Sequence, residues 1–154
     1  MPKPSQRRPS KAPRTPAKAH PRRAPQTFRV ATGRGPSPAE LGAQLVAAFN
    51  QGEGDAWIKR VWAPGIESIE GLGVGMGWRG LRAVEAKNAK WVDAHVLHGG
   101  SAEGPYVGST GFAVRFRIDV EDKATGRRQI MEEIGVYAVR NGRIVREEFM
   151  YSAR

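Results

Sequence analysis

Residues 111–120 read GFAVRFRIDV, and their alternation decides the fold: Phe112, Val114, Phe116, Ile118 and Val120 fall on one side of an extended chain, Ala113, Arg115, Arg117 and Asp119 on the other. Successive side chains of a strand point to opposite faces, so this stretch is a strand with one face against a core. Toward the C-terminus, a loop around Lys123 to Gly126 leads to a second run at 128–139, and Asn141-Gly142 leads to a third at 143–151. Asn-Gly suits a two-residue hairpin turn, because both positions need a positive φ that these residues adopt at little cost. Toward the N-terminus, residues 95–103 read as a further strand, joined to 106–120 around a Gly104-Pro105 turn. The second half of the chain is therefore predicted to be an antiparallel meander.

Ahead of the meander the period changes. Ser37, Pro38 and Glu40 form a capping box with proline at the first helical position, and Leu41, Leu45, Ala48 and Phe49 then recur on one helical face that ends near Asn50, Gln51 and Gly52. Asp55 is placed to cap a shorter helix carrying Trp57, Ile58, Val61 and Trp62, which must stop before Pro64. Residues 66–70 read as a short strand, Gly71 to Gly80 as a glycine-rich stretch, and 81–92 as a third helix with the stripe Leu81, Val84, Asn88 and Trp91. Helices gathered before a long antiparallel sheet predict an α+β domain over residues 37–154, the sheet curling around the helices into a cone.

Charge divides the chain in two. The 154 residues carry a formal charge of +10, yet residues 1–36 hold ten Lys or Arg and no Asp or Glu, which leaves fifteen of each sign in the remainder. Nine of the eleven prolines also lie between Pro2 and Pro38. Such a segment buries too little apolar surface to offset the entropy of ordering, and residues 1–36 are predicted to be a disordered, basic, proline-rich tail with polyproline II character. Ten cations on a flexible chain imply nonspecific, salt-sensitive nucleic-acid association. There is no cysteine, so disulfides, thiol nucleophiles and thiolate metal sites are excluded. No run approaches the roughly 18 apolar residues of a membrane helix, and no apolar segment of a secretory signal opens the chain. A cytoplasmic protein without membrane contact is expected.

Several short stretches match a known family: Trp78-Arg79-Gly80, Glu103-Gly104-Pro105-Tyr106-Val107, Phe112-Ala113-Val114-Arg115-Phe116, Ala124-Thr125-Gly126-Arg127, Met131-Glu132-Glu133 and Asn141-Gly142-Arg143-Ile144-Val145. With the layout above, they make residues 37 to about 152 resemble the SnoaL-like branch of the nuclear transport factor 2-like superfamily. The resemblance implies a cone of three N-terminal helices packed on a curved antiparallel sheet, and members that commonly dimerise through the sheet. It implies a range of activities rather than one, since the family holds ketosteroid-isomerase-like enzymes, polyketide cyclases, epoxide hydrolases and proteins without known activity. Whether this chain is an enzyme stays open at that level.

Candidate site residues come from strand register. With Asp122 and Gly126 flanking the loop, Ile118 faces Ile130, Phe116 faces Glu132 and Val114 faces Ile134; the Asn141-Gly142 turn continues that face with Glu132 opposite Tyr151, Ile134 opposite Phe149 and Val136 opposite Glu147. Glu132 would then stand among Phe116, Ile130 and Ile134, where loss of solvent raises a carboxyl pKa toward values useful for proton transfer. Its structural alternative is a hydrogen bond to Tyr151 or a tryptophan indole. Glu147 is a second acidic candidate nearer the rim. A shift of one residue, or a bulge, would exchange the two faces and bring Glu133 and Tyr137 inside instead.

Histidines and aromatics complete the set. His95 and His98 are three apart on a strand and so face opposite sides, which excludes a shared metal ion and lets one of them enter the cone, His98 as an acid/base group. Gly75, Gly77 and Gly80 spell a GxGxxG, but a dinucleotide site needs a parallel βαβ unit, so no cofactor is expected. The expected catalytic residues are Glu132, His98 and Tyr151; the expected ligand-binding residues are Trp57, Trp62, Asn88, Trp91, His95, Phe116, Glu147 and Phe149, with no metal. The opposite sheet face, with Arg115 across from Glu133, Arg146 beside Tyr137, and Met131, Met150 and Val139 between, is the expected homodimer surface. The function these residues imply is an apolar pocket for a small organic ligand, with acid/base catalysis of isomerase, cyclase or hydrolase type. The alternatives are a noncatalytic binding or dimerisation module, and nucleic-acid association through the tail.

Overall fold

A computed structural model describes residues 35–71 and 75–151. All but Gly35 and Pro36 of the basic proline-rich segment therefore lies outside the described residues. Helix α1 (Pro38–Asn50) starts at the capping box: the Glu40 amide donates to Ser37 Oγ at 3.2 Å and the Ser37 amide donates to Glu40 Oε2 at 2.7 Å. Its apolar stripe buries Leu41, Leu45 and Ala48. Helix α2 (Gly54–Val61) starts after Glu53, two residues earlier than Asp55 capping requires; Asp55 lies inside the first turn and its carboxylate pairs with Lys59 at 2.7 Å. The helix stops at Val61 and the chain passes directly into strand β1 (Trp62–Glu70), which begins four residues before the predicted strand.

Part of the glycine-rich stretch is also a strand, β2 (Met76–Arg79), antiparallel to β1 and fastened by the Glu67–Arg79 ion pair. Gly80, at φ +88°, turns the chain into helix α3 (Leu81–Ala94). There follow β3 (His95–Val107), β4 (Gly111–Asp122), β5 (Arg128–Arg140) and β6 (Arg143–Tyr151). The strands form one sheet in the order β2-β1-β6-β5-β4-β3. The last four make the predicted meander, whereas β6 then pairs in parallel with β1. That pairing joins strands about 80 residues apart, for which period and turn chemistry carry no signal.

Gly104-Pro105 does not reverse the chain. Pairing passes from Glu103 with Arg115 to Tyr106 with Ala113, so the two residues form a bulge within β3, and the reversal comes at Gly108 to Gly111, closed by the Gly108 amide on the Gly111 carbonyl at 2.8 Å. Proline has no N–H to give to a ladder, and a bulge on an edge strand removes the requirement. The Asn50 side chain holds this irregular strand: its Nδ2 donates to the Ala102 carbonyl at 3.1 Å and its Oδ1 accepts from the Ala102 amide at 2.7 Å.

The predicted inner face of β4 is the buried one, with Val114 at 0% and Phe112, Phe116, Ile118 and Val120 nearly so. On β5 the faces are the reverse of the prediction. Ile118 pairs with Met131, Phe116 with Glu133 and Val114 with Gly135, a shift of one residue. The hairpin loop runs over four residues, Lys123 to Gly126, not three: the Asp122 amide donates to the Arg127 carbonyl, Gly126 sits inside the turn at φ +68°, and the Asp122 carboxylate accepts from the Thr125 amide and hydroxyl. At the other end of β5 the Asn141-Gly142 turn gives the predicted pairs Arg140 with Arg143 and Val139 with Ile144; Val145 is then bulged out, and pairing resumes at Ala138 with Arg146. The bulge keeps β6 in phase with the shifted β5, so Tyr137 faces Glu147 and Glu133 faces Tyr151.

Gly126 has no heavy atom within 4 Å of an added Cβ, so Gly126→Ala tests its backbone angle alone. The positive φ is expected to cost about 1 kcal/mol of stability, read as a lower urea midpoint with an unchanged m-value.

Candidate functional site

The helices and the sheet line an open cavity of about 520 Å³. Phe49 at the end of α1, Trp91 and Val92 on α3, Leu97 on β3, Ile118 on β4, Met131 on β5 and Phe149 on β6 supply its apolar wall. Each comes from the inward phase of its element, which is why the wall depends on the β4–β5 register. The volume lies within the range of small-molecule sites.

Polar groups converge on one part of this wall. Ile66, Ser68 and Glu70 follow one another on the inner face of β1, and Lys87 lies on the α3 stripe between Val84 and Trp91. The Lys87 ammonium donates to Glu70 Oε1 at 2.6 Å and to Ser68 Oγ at 3.0 Å, and lies 3.9 Å from Glu147 Oε1. It also stands over the rings of Phe149 and Trp78, 5.0 Å and 5.6 Å from their centroids. Glu147 is wholly buried; its Oε2 accepts from the Trp62 indole at 3.0 Å, and its Oε1 has no hydrogen-bond partner among the described residues. Burial pushes the Glu147 carboxyl up, against the opposing pull of Lys87.

Glu133 differs from these. It lines the cavity, yet no cation or hydrogen-bond donor among the described residues meets its carboxyl. Burial first, then the charges of Glu70 and Glu147, raise it to about 7, with Lys87 opposing. A carboxyl in that range is both a donor and an acceptor of protons near neutrality.

The predicted residues separate accordingly. Glu132 is on the outer face, where it pairs with Arg115 at 3.2 Å, because the four-residue turn moves β5 by one position. Tyr151 is cross-strand partner to Glu133 but is 42% exposed and outside the cavity wall. His98 reaches the wall from a bulged position on β3 and bonds Glu121 through Nε2 at 2.9 Å. Asn88, Trp91 and Phe149 line the cavity. His95 does not: it stacks on Trp91 at 4.6 Å, its Nδ1 2.7 Å from the Trp91 carbonyl oxygen. Trp57, Trp62 and Phe116 are core residues behind the wall, since their elements turn them toward helix–sheet contacts, and Glu147 is tied to Trp62 rather than placed at a rim. The sequence reading missed Lys87, Ser68 and Glu70, although a lysine on an apolar helical stripe and a polar continuation of the Ile66 phase were both visible. Among the described residues no group of three or more His, Asp or Glu side chains is arranged to hold a metal ion.

These features define a class of α+β domain, three helices and a six-stranded sheet built around an apolar cavity with a carboxyl-rich wall. Residues 49–151 match the SnoaL-like domain family, and the chain belongs to that family. A protein of Mesorhizobium loti, provisionally named a SnoaL-like polyketide cyclase, is 39% identical over 73% of this chain and 97% of its own, with a TM-score of 0.69. Two more distant structures share the fold. One is provisionally named a SnoaL-like polyketide cyclase, from Jannaschia sp. CCS1 (15% identity, 78% and 92% coverage, TM-score 0.61). The other is a nuclear transport factor 2-like protein of Burkholderia thailandensis (17% identity, 76% and 92% coverage, TM-score 0.62). No curated protein matches the chain.

A carboxyl whose folded pKa exceeds its unfolded value stabilises the fold fully below the unfolded value and loses that contribution as pH rises through the folded one. For Glu133 the window runs from the ordinary value of 4.5 to about 7. Glu133→Gln, which carries no charge at any pH, is therefore expected to match the wild type near pH 4 and to be the more stable protein at pH 8. The gain should be up to about 3 kcal/mol, measured by urea denaturation across pH.

Proposed function

We propose that the chain binds a small, largely apolar organic molecule in the cavity and that Glu133 is the acid/base group acting on it. The observation that supports this reading is a carboxyl on an apolar wall, met by no cation or donor among the described residues and raised to about 7. Proton transfer away from bulk water is the common requirement of isomerisation, cyclisation and hydration, and of the two names carried by the Mesorhizobium loti protein, polyketide cyclase and carbohydrate phosphatase, the first falls in that set. Glu133 takes the role that the sequence reading gave to Glu132. His98, held by Glu121 at the wall, is the second proton-transfer group, and Trp91, Asn88 and Phe149 shape the ligand's seat. A metabolite library screened by thermal shift tests the reading. Hits should be compact, predominantly apolar molecules, and Glu133→Gln should abolish any turnover of a hit while leaving the fold intact. Unchanged turnover in that variant would reject the assignment.

We also propose a homodimer through the outer sheet face, with a composition different from the one the sequence suggested. Met131, Tyr137 and Val139 point inward; the outward apolar residues are Ile130 at 45%, Ile134 at 40% and Val136 at 40% exposure, with Met150 across from Ile134. Three exposed branched residues on alternating positions of one strand form a stripe that a second copy would cover. Ile134→Asp is expected to give a monomer mass by light scattering at micromolar concentration, where the wild type gives a dimer. Equal masses would sink the proposal.

A further inference from the structure

The charged groups around the cavity are paired with one exception. Lys87 on α3 holds Glu70 on β1, and its remaining side is turned toward Glu147 on β6. Asp55 on α2 is held by Lys59, and His98 on β3 by Glu121 on β4. Glu133 on β5 has no such partner among the described residues; facing it are Glu70, Lys87 and Glu147, with Tyr137 and Tyr151 contributing neutral hydroxyls. Three carboxyl groups thus share one ammonium. When all are ionised the cluster carries two uncompensated negative charges against an apolar wall. Of the two left over, Glu147 is bonded to the Trp62 indole behind the wall and Glu133 reaches the cavity, so the partly buried Glu133 carboxylate lacks one positive partner there. Glu147 Oε1, in a residue that is 0% exposed, takes part of the same ammonium at 3.9 Å, which leaves that much less of it for Glu133. The wall is also of the kind that holds cations. Lys87 already lies over Phe149 and Trp78, and the Phe49, Trp91 and Phe149 rings line the free volume.

We infer that the ligand of this cavity is a lipophilic amine bound as its ammonium ion, paired with Glu133 and seated against the aromatic wall. The inference rests on the proposed ligand-binding role of the cavity and adds the charge of the ligand to it. A carboxylate ligand would face three acidic side chains, and the one ammonium that could receive it is already occupied by Glu70 and Ser68. A neutral ligand would fill the volume but leave Glu133 unmatched.

The test compares three indoles of nearly equal size on the full chain by calorimetry: tryptamine, tryptophol and indole-3-propionate. Tryptamine is an ammonium ion throughout pH 6–8. At pH 8 it is expected to bind at least tenfold more tightly than tryptophol, with indole-3-propionate the weakest. Because the ammonium prefers ionised Glu133, which gains a proton at about 7, tryptamine affinity should fall roughly tenfold from pH 8 to pH 6 while tryptophol affinity stays within about twofold. Glu133→Gln should remove both the preference for tryptamine and its pH dependence and leave tryptophol binding in place. The wild-type pH series reads the same effect without any variant. Tryptophol binding as tightly as tryptamine, indole-3-propionate binding more tightly than either, or a preference that survives in Glu133→Gln would each overturn the amine assignment while keeping the cavity as a ligand site. Failure of all three to bind would overturn the amine assignment and the ligand-binding reading together.

Discussion

Register between β4 and β5 is the constraint on which the rest of this structure depends. It is set over Lys123 to Gly126, where the Asp122 carboxylate holds the Thr125 amide and Gly126 supplies a positive φ inside the turn. Side chains alternate along a strand, so one residue more or less in that loop exchanges every inward group of β5 for its neighbour. Two adjacent glutamates make the exchange chemically decisive. Glu133 loses water and charge compensation inside, whereas Glu132 joins Arg115 in a solvated ion pair worth little to stability. The Val145 bulge carries the same choice across to β6, where it brings Glu147 beneath Trp62.

The inner cluster that results is held together by opposing terms. Lys87 belongs to a helix and its carboxylate partners to two strands that pair in parallel, β1 and β6, so the ammonium joins helix to sheet at the point where the two ends of the sheet's sequence meet. Its hydrogen bonds to Glu70 and Ser68 and its contacts with Phe149 and Trp78 offset the desolvation of a cation. Compensation stops there. Glu133 and Glu147 are left above the ordinary carboxylate range, the former in reach of the cavity and the latter bonded to an indole behind it. One arrangement therefore yields two carboxyls in different settings, one bonded behind the wall and one facing the cavity, to which the proposed proton transfer is assigned.

The outer face follows from the same register. Ion pairs Arg115 with Glu132, Arg128 with Asp119 and Arg146 with Glu148 surround Ile130, Ile134 and Val136. Polar residues rim a narrow apolar stripe, the feature on which the proposed homodimer rests.

Local chemistry made much of this legible in the sequence. The capping box at Ser37, the α1 and α3 stripes, the inward face of β4 and the Asn141-Gly142 turn each depend on residues within a few positions of one another, and each stands in the structure as the spacing implies. The same proximity rule explains the misses. Gly104-Pro105 looked like a turn because both residues favour turns; only the partner strand shows that they are bulged out of an edge. Spacing alone points Glu132 inward through a three-residue loop, and the fourth loop residue is fixed by hydrogen bonds that spacing does not reveal. Lys87, Ser68, Glu70 and Glu147 meet only when β6 lies parallel to β1 beneath α3, a juxtaposition of segments tens of residues apart. The sequence alone determined the three helices, the strands of the meander and the apolar face of β4, since those are short-range properties of side-chain period and capping. Tertiary structure decided which carboxyl is partly buried without a partner, because desolvation and charge compensation depend on what is packed nearby in space.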